Sequence, residues 1–251
     1  MAGSFLLKLH RGEGPFFGFL KRLILASMRS SFTPPRAVKP LFCFFYHAHY
    51  AVSFGFRQFL NMIYRGPLFK ARCEKVGRNL SIWSMPAVVG PVRIYIGDDV
   101  EIFGHLGVTS GRIFDEPRLV IGDRVDIGHN IQITVNREVV IEEEVNIASG
   151  VRILDTDAHP RDTDARAKGL PPPEAEIKAV RIGRRAWLGQ SCFIMKGVTV
   201  GEGAVIGANS VVVTDIPPYA VAMGNPARVV VKDVRQTAAP GPSADPVPPR
   251  A

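Results

Sequence analysis

The chain has 251 residues, 46% of them hydrophobic and 22% charged, with 24 glycines and 20 prolines. That length suits one domain with a sizeable core plus appendages. Its three cysteines, Cys43, Cys73 and Cys192, form no even disulfide framework and are read as reduced thiols of a cytoplasmic protein. The net charge of +8 is unevenly placed: residues 1–78 hold 13 Lys or Arg against only Glu13 and Glu74, and the remainder is slightly acidic.

The amino-terminal stretch is basic and aromatic. Lys8 and Arg11 are followed by no clean apolar run with a small-residue cleavage site, so no cleavable signal is expected. The runs PFFGFLKRLILAS and LFCFFYHAHYAVSFGFRQFLNMIY are read as a helical extension over residues 1–75. The second run nears the ~20 residues that span a bilayer, but His47, His49 and Arg57 argue against a clean span. Two readings fit. The helices pack on the main domain or an oligomer partner, with the aromatics as core. Alternatively residues 1–70 form an interfacial anchor, placing a cytoplasmic protein peripherally on the inner membrane face. No nucleic-acid partner is expected, because nothing resembles a nucleic-acid module.

From Val76 a six-residue beat begins. Val76, Ile82 and Val88 form one set; Ile96, Ile102 and Val108 the next; then Ile121, Ile127 and Ile133, and Ile141, Ile147 and Ile153. Over Ile182–Val212 the beat runs without a slip through Ile182, Leu188, Ile194, Val200, Ile206 and Val212. Four positions after each of these six stands a small or β-branched residue: Ala186, Cys192, Val198, Ala204, Ser210 and Ile216. A period of six is neither helical nor that of a plain strand. It arises when six residues make one short strand and one turn, and three such sides close a coil. The large apolar residue points inward, the small one fits the corner, and glycine (Gly183, Gly189, Gly201, Gly207) relieves the turn. The expected fold is all-β: a left-handed parallel β-helix over 76–235, with the helical extension before it and a disordered tail over 236–251.

One long interruption, Asp155–Val180, is polar, proline-containing and aperiodic. Both of its ends belong to good coils, so it is read as a functional loop projecting from a corner. After Val212, Pro217 and Pro218 end the coils, and a strand-like piece over Ala227–Val231 packs back on the prism.

The loop opens DTDAHP, and the segment after it carries AWLG and GNPAR. With the hexads, these motifs resemble the hexapeptide acyltransferases over residues 76–231. The resemblance is greatest to the galactoside and maltose O-acetyltransferase branch and the acetyltransferases of polysaccharide biosynthesis. It implies transfer of an acetyl group from acetyl-CoA to a sugar hydroxyl of a glycan precursor, in a homotrimer whose sites lie between neighbouring prisms, with no metal.

In that branch a histidine before proline is the catalytic base, which matches His159. The chemistry agrees: removing a proton from a hydroxyl near neutral pH suits an imidazole, with a reference pKa of ~6.5. Asp155 and Asp157 lie close enough to orient that imidazole or to cap the loop, and Asp157 is the candidate partner. Trp187 matches a family tryptophan near the acyl donor. Gly189, Gln190 and Ala208 match positions whose backbone contacts the pantetheine arm of coenzyme A. Arg228 matches an arginine near the nucleotide phosphates, with Lys232 beside it in sequence. His129, Asn130 and Asn136 are the acceptor-binding candidates, each of the asparagines also fitting a turn. The chain departs from the branch in two places. Val213 and Thr214 stand where Thr-Lys precedes the Asp-Ile-Pro-Pro turn, and Asn136 falls about where an acceptor-binding aspartate is carried.

Two other classes use such a prism. A metal-dependent hydratase of the γ-type carbonic anhydrase kind would draw on His105, His129 and His159, whose spacing does not match that family. A non-catalytic trimeric scaffold would bind no coenzyme A and would not depend on His159.

Overall fold

The six-residue period produces three parallel sheets, each built from every third strand. The first face stacks β1 (Lys75–Val76), β4 (Arg93–Ile96), β7 (Arg118–Ile121), β10 (Glu138–Ile141), β13 (Val180–Ile182) and β16 (Thr199–Val200). The second stacks β2 (Ser81–Ile82), β5 (Glu101–Ile102), β8 (Asp126–Ile127), β11 (Asn146–Ile147), β14 (Trp187–Leu188) and β17 (Val205–Ile206). The third stacks β3 (Ala87–Val89), β6 (Leu106–Thr109), β9 (Ile131–Thr134), β12 (Arg152–Leu154), β15 (Phe193–Ile194) and β18 (Val211–Val212). The register follows the hexads: Ile96 pairs with Ile121, Ile121 with Ile141, and Ile141 with Ile182. The second and third faces align Ile127–Ile147–Leu188 and Ile133–Ile153–Ile194 in the same way. These residues form one core column, and Ala186, Cys192, Val198, Ala204, Ser210 and Ile216 are buried at its corners. Burial of some thirty aliphatic side chains in close-packed layers is the main stabilising term. Residues Val221–Gly224 (β19) and Ala227–Val231 (β20) extend the second face as an antiparallel hairpin around a cis Asn225–Pro226 bond.

The glycines serve differently from expectation. Gly183, Gly189, Gly201 and Gly207 are absent from the positive-φ positions, which include instead Arg185 (φ 57°), Ser191 (φ 56°) and Asn209 (φ 58°) two residues later. What requires glycine at 189 is proximity: a Cβ there would overlap the carbonyl oxygen of Ile206 and lie 2.8 Å from the Ala208 nitrogen. Coils spaced about 4.8 Å apart leave no room for a side chain turned along the axis.

The computed structural model describes residues 2–29, 33–111 and 113–236, and its contacts divide the chain into Met1–Gly55 and Phe56–Ala251. The expected tail beyond Gln236 lies outside the described residues. In the first unit α1 (Ala2–Arg11) and α2 (Gly14–Arg29) make a hairpin. Phe5 and Phe17 meet edge to face at 5.3 Å, and Lys21 Nζ donates to the His10 carbonyl at 2.7 Å. Helix α3 (Lys39–Leu60) continues through a π-helical turn at Asn61–Arg65 into α4 (Gly66–Arg72). Asn61 Nδ2 donates to the Ile82 carbonyl at 2.8 Å, and Phe69 is part of the β-helix core. The last helical turns therefore close the first coil, and the second unit begins at Phe56 rather than where the strands start.

Candidate functional site

The long loop leaves the third corner, after β12. Its first residues are fixed one by one. Asp155 is completely buried, and its carboxylate accepts the backbone N–H groups of Asn136 at 2.8 Å, Arg137 at 2.6 Å and Glu138 at 3.1 Å. Burial pushes this carboxyl above the usual aspartate range, and those N–H groups pull against it. The buried Thr156 hydroxyl accepts the Ala158 N–H at 3.1 Å, which holds Ala158 at φ 67°. Left-handed backbone is uncommon for a residue with a Cβ, and here it turns the next residue, His159, outward. Further along, Asp162 caps α5 (Thr163–Ala167) by accepting the Ala165 N–H at 2.7 Å. Arg166 Nη1 donates back to the carbonyls of Pro160 and Arg161, each at 3.1 Å.

These constraints form an open groove of about 530 Å³ lined by His159, and a neighbouring cavity of about 560 Å³ shares Leu170, Pro171 and Pro172 with it. The floor of the groove is Thr109, Ser110, Gly111, Thr134 and Asn136 from two successive coils, and its wall is Ala158, His159, Arg166 and Leu170–Pro172, with Ile113. Thr109 and Thr134 stand one above the other with hydroxyls 3.3 Å apart. An exposed imidazole therefore faces a floor carrying hydroxyls, with a guanidinium at the rim.

Of the candidates, the structure brings His159 and Asn136 into this cleft. Asn136 is committed to the scaffold: its Oδ1 accepts the Gly111 N–H at 2.7 Å while its own N–H binds Asp155. Asp157, the candidate partner of His159, turns elsewhere and pairs with Lys196 at 2.7 Å and Arg161 at 3.7 Å. Among the described residues no hydrogen bond links either Asp155 or Asp157 to His159. Asp155 ties the start of the loop to β10, and Asp157 fastens it to the coil above.

His129 and Asn130 are not among the cleft residues; they occupy the second corner, between β8 and β9. The β-pairing aligns His129 with Gln190 and Ala208, and Asn130 with Ser191 and Asn209. They thus share a corner with the coenzyme A candidates rather than with the loop. Those candidates do gather: Gly189, Gln190 and Ala208 lie on successive turns of that corner, and Trp187, 54% exposed, stands on the adjoining second face. Arg228 is exposed on β20 at the end of the same sheet, with Nη1 donating to the Ala227 carbonyl, and Lys232 is exposed just past it. Among the described residues no group of three His, Cys, Asp or Glu is placed to hold a metal ion.

Thr109, Thr134 and Arg166 were not foreseen. The two threonines each follow the last hexad residue of a third-face strand, so the register did contain that signal. Arg166 belongs to an aperiodic loop and gave none.

Residues 179–214 match the family model described as bacterial transferase hexapeptide (six repeats). A protein of Staphylococcus aureus (strain COL) named "Putative acetyltransferase" is 43% identical over 77 residues, 31% of this chain and 37% of that protein. The chloramphenicol acetyltransferase of Agrobacterium fabrum is 49% identical over 51 residues, 20% and 24% of the two chains. The chain therefore matches well under half the length of these curated relatives. Among solved structures, a mutant of AntD, an N-acyltransferase from Bacillus cereus in complex with dTDP and coenzyme A, superposes with a TM-score of 0.54 at 18% identity. That match covers 69% of this chain and 91% of the other. This likeness bears on the fold, which is the left-handed parallel β-helix of the hexapeptide repeat.

Proposed function

We propose that this chain is an acetyltransferase that moves an acetyl group from acetyl-CoA to a hydroxyl of a sugar or glycan precursor, with His159 as general base. The observation that carries it is His159 held outward over a floor of threonine and serine hydroxyls, on a repeat whose relatives are named acetyltransferases. The acceptor hydroxyl gives its proton to the imidazole as its oxygen bonds to the thioester carbonyl carbon. The tetrahedral intermediate then collapses, the C–S bond breaks, and the coenzyme A thiolate leaves and takes up that proton. The hydroxyl-bearing floor and Arg166 suit a polyhydroxylated acceptor. At the second corner, the shallow column of Gly189, Gln190 and Ala208 suits a thin amide-bearing pantetheine arm, with Arg228 and Lys232 at its end for phosphate. The proposed assembly is a homotrimer, in which one copy's third corner meets its neighbour's second.

The test is thiol release from acetyl-CoA against a panel of sugars and sugar nucleotides. Turnover by the wild type with a loss of ~10²–10⁴-fold in His159→Ala supports the reading. Equal turnover by both proteins removes His159 from the role of base. Failure to bind coenzyme A at all favours a non-catalytic scaffold.

A further inference from the structure

Helix α3 has no buried residue along its 22-residue length. Leu41, Phe45, Val52, Phe56 and Phe59 are between 52% and 72% exposed. At about 100° per residue they fall within roughly 60° of one another, a single stripe along the helix. Lys39 and Arg57 stand about 160° round from the first of them, on the far side. The hairpin before it repeats the pattern: Phe16, Phe19 and Leu23 of α2, at i, i+3 and i+7, are all more than half exposed.

Charge says what covers these faces. From Gly14 to Cys73 there is no Asp or Glu, while Lys and Arg recur throughout. A second copy would bring the same basic segment against itself. An anionic surface would not. Among the described residues no helix is long and apolar enough to cross a membrane, so the helices would lie along one.

We propose that α3, together with the exposed face of α2, is a docking surface for an anionic phospholipid bilayer. The apolar stripe enters the interfacial layer and the basic residues remain among the headgroups. The tyrosines of α3, Tyr46 and Tyr50, both exposed, suit the same depth, where an aromatic body and a polar tip are both accommodated. The inference does not rest on acyl transfer.

The experiment is flotation of the full chain with vesicles of phosphatidylcholine alone and of phosphatidylcholine mixed with phosphatidylglycerol. The expected result is flotation with the mixed vesicles, weakened by added salt. Phe45→Ser combined with Phe56→Ser should bind at least about tenfold more weakly, with an unchanged melting transition as the control for folding. Val52→Ser alone, at the most exposed point of the stripe, should weaken binding to a smaller degree. Equal flotation with neutral and mixed vesicles, or an unaffected double variant, overturns the proposal. So does a light-scattering mass that depends on the stripe without any flotation, which would assign the surface to a second copy.

Discussion

At the scale of single residues, two side chains set where the loop begins, and neither lines the groove that holds His159. The Asp155 carboxylate takes three consecutive N–H groups at the start of β10, and no water reaches it. Removing the acceptor leaves those donors buried without partners, which costs more than an average hydrogen bond contributes. Asp155→Ala is expected to lower stability by about 2–4 kcal/mol, measured by urea unfolding with an unchanged m-value. Asp155→Asn, which keeps one oxygen, should fall between. A loss for the alanine variant below about 0.5 kcal/mol would show that the cap contributes little. Sequence alone offered both Asp155 and Asp157, which flank a threonine, to orient His159 or cap the loop, and put Asp157 forward as the partner. Their burial separates them, since one lies beneath the loop and the other reaches over it to Lys196.

At the scale of elements, each corner is a column of its own. The first corner is charged: Arg78 pairs with Asp98 at 2.6 Å, Arg124 with Glu144 at 2.8 Å, and Arg184 with Glu202 at 2.7 Å, each between successive coils. Glu144 is bound from both sides. The Arg185 guanidinium first, and Arg124 with it, hold its carboxyl at about 2 instead of 4.5. A carboxyl depressed in the folded state stabilises the fold above its unfolded pKa, and that contribution disappears as the pH falls from 4.5 through about 2. The melting temperature of Glu144→Gln should therefore fall less steeply than that of the wild type across this window. Added salt should narrow the gap, because the groups are exposed. Parallel curves for the two proteins would mean that Glu144 adds nothing to acid sensitivity. The strands between the corners were legible in sequence down to their pairing partners. A hexad that keeps one apolar residue per turn fixes both the inward face and the coil-to-coil register. Of the residues lining the candidate cleft, His159 and Asn136 were named from sequence. Asn130 and His129 could be named as candidates but not given a corner, because the sequence gives the distance along the chain and not which of three corners a turn occupies. Arg166 and the proline wall lie in a loop without period, where side-chain position follows from tertiary contacts alone.

At the scale of the whole molecule, the two halves of the proposed site do not meet within one chain. His159 and the threonine floor are at the third corner, while Gly189, Gln190, Ala208 and Trp187 are at the second corner and face. One face separates them, five extended residues from Gly150 to Asp155, or roughly 16 Å at ~3.3 Å per residue. The floor strands β6 and β9 also lie two or more coils below β15, which follows Gln190. A thioester placed along the second corner of one chain would reach a base presented by another chain more readily than its own. Cyclic assembly of three copies makes that juxtaposition three times over. Complementation tests it. His159→Ala removes the base, and Ala208→Tyr fills the exposed corner column without entering the core, so each variant alone is expected to be inactive. Refolded together in equal amounts, they should regain about a quarter of wild-type activity, because about one interface in four unites an intact base with an intact column. If donor and base belonged to the same chain, no mixture could assemble a working site, and the mixed sample would stay as inactive as its parts.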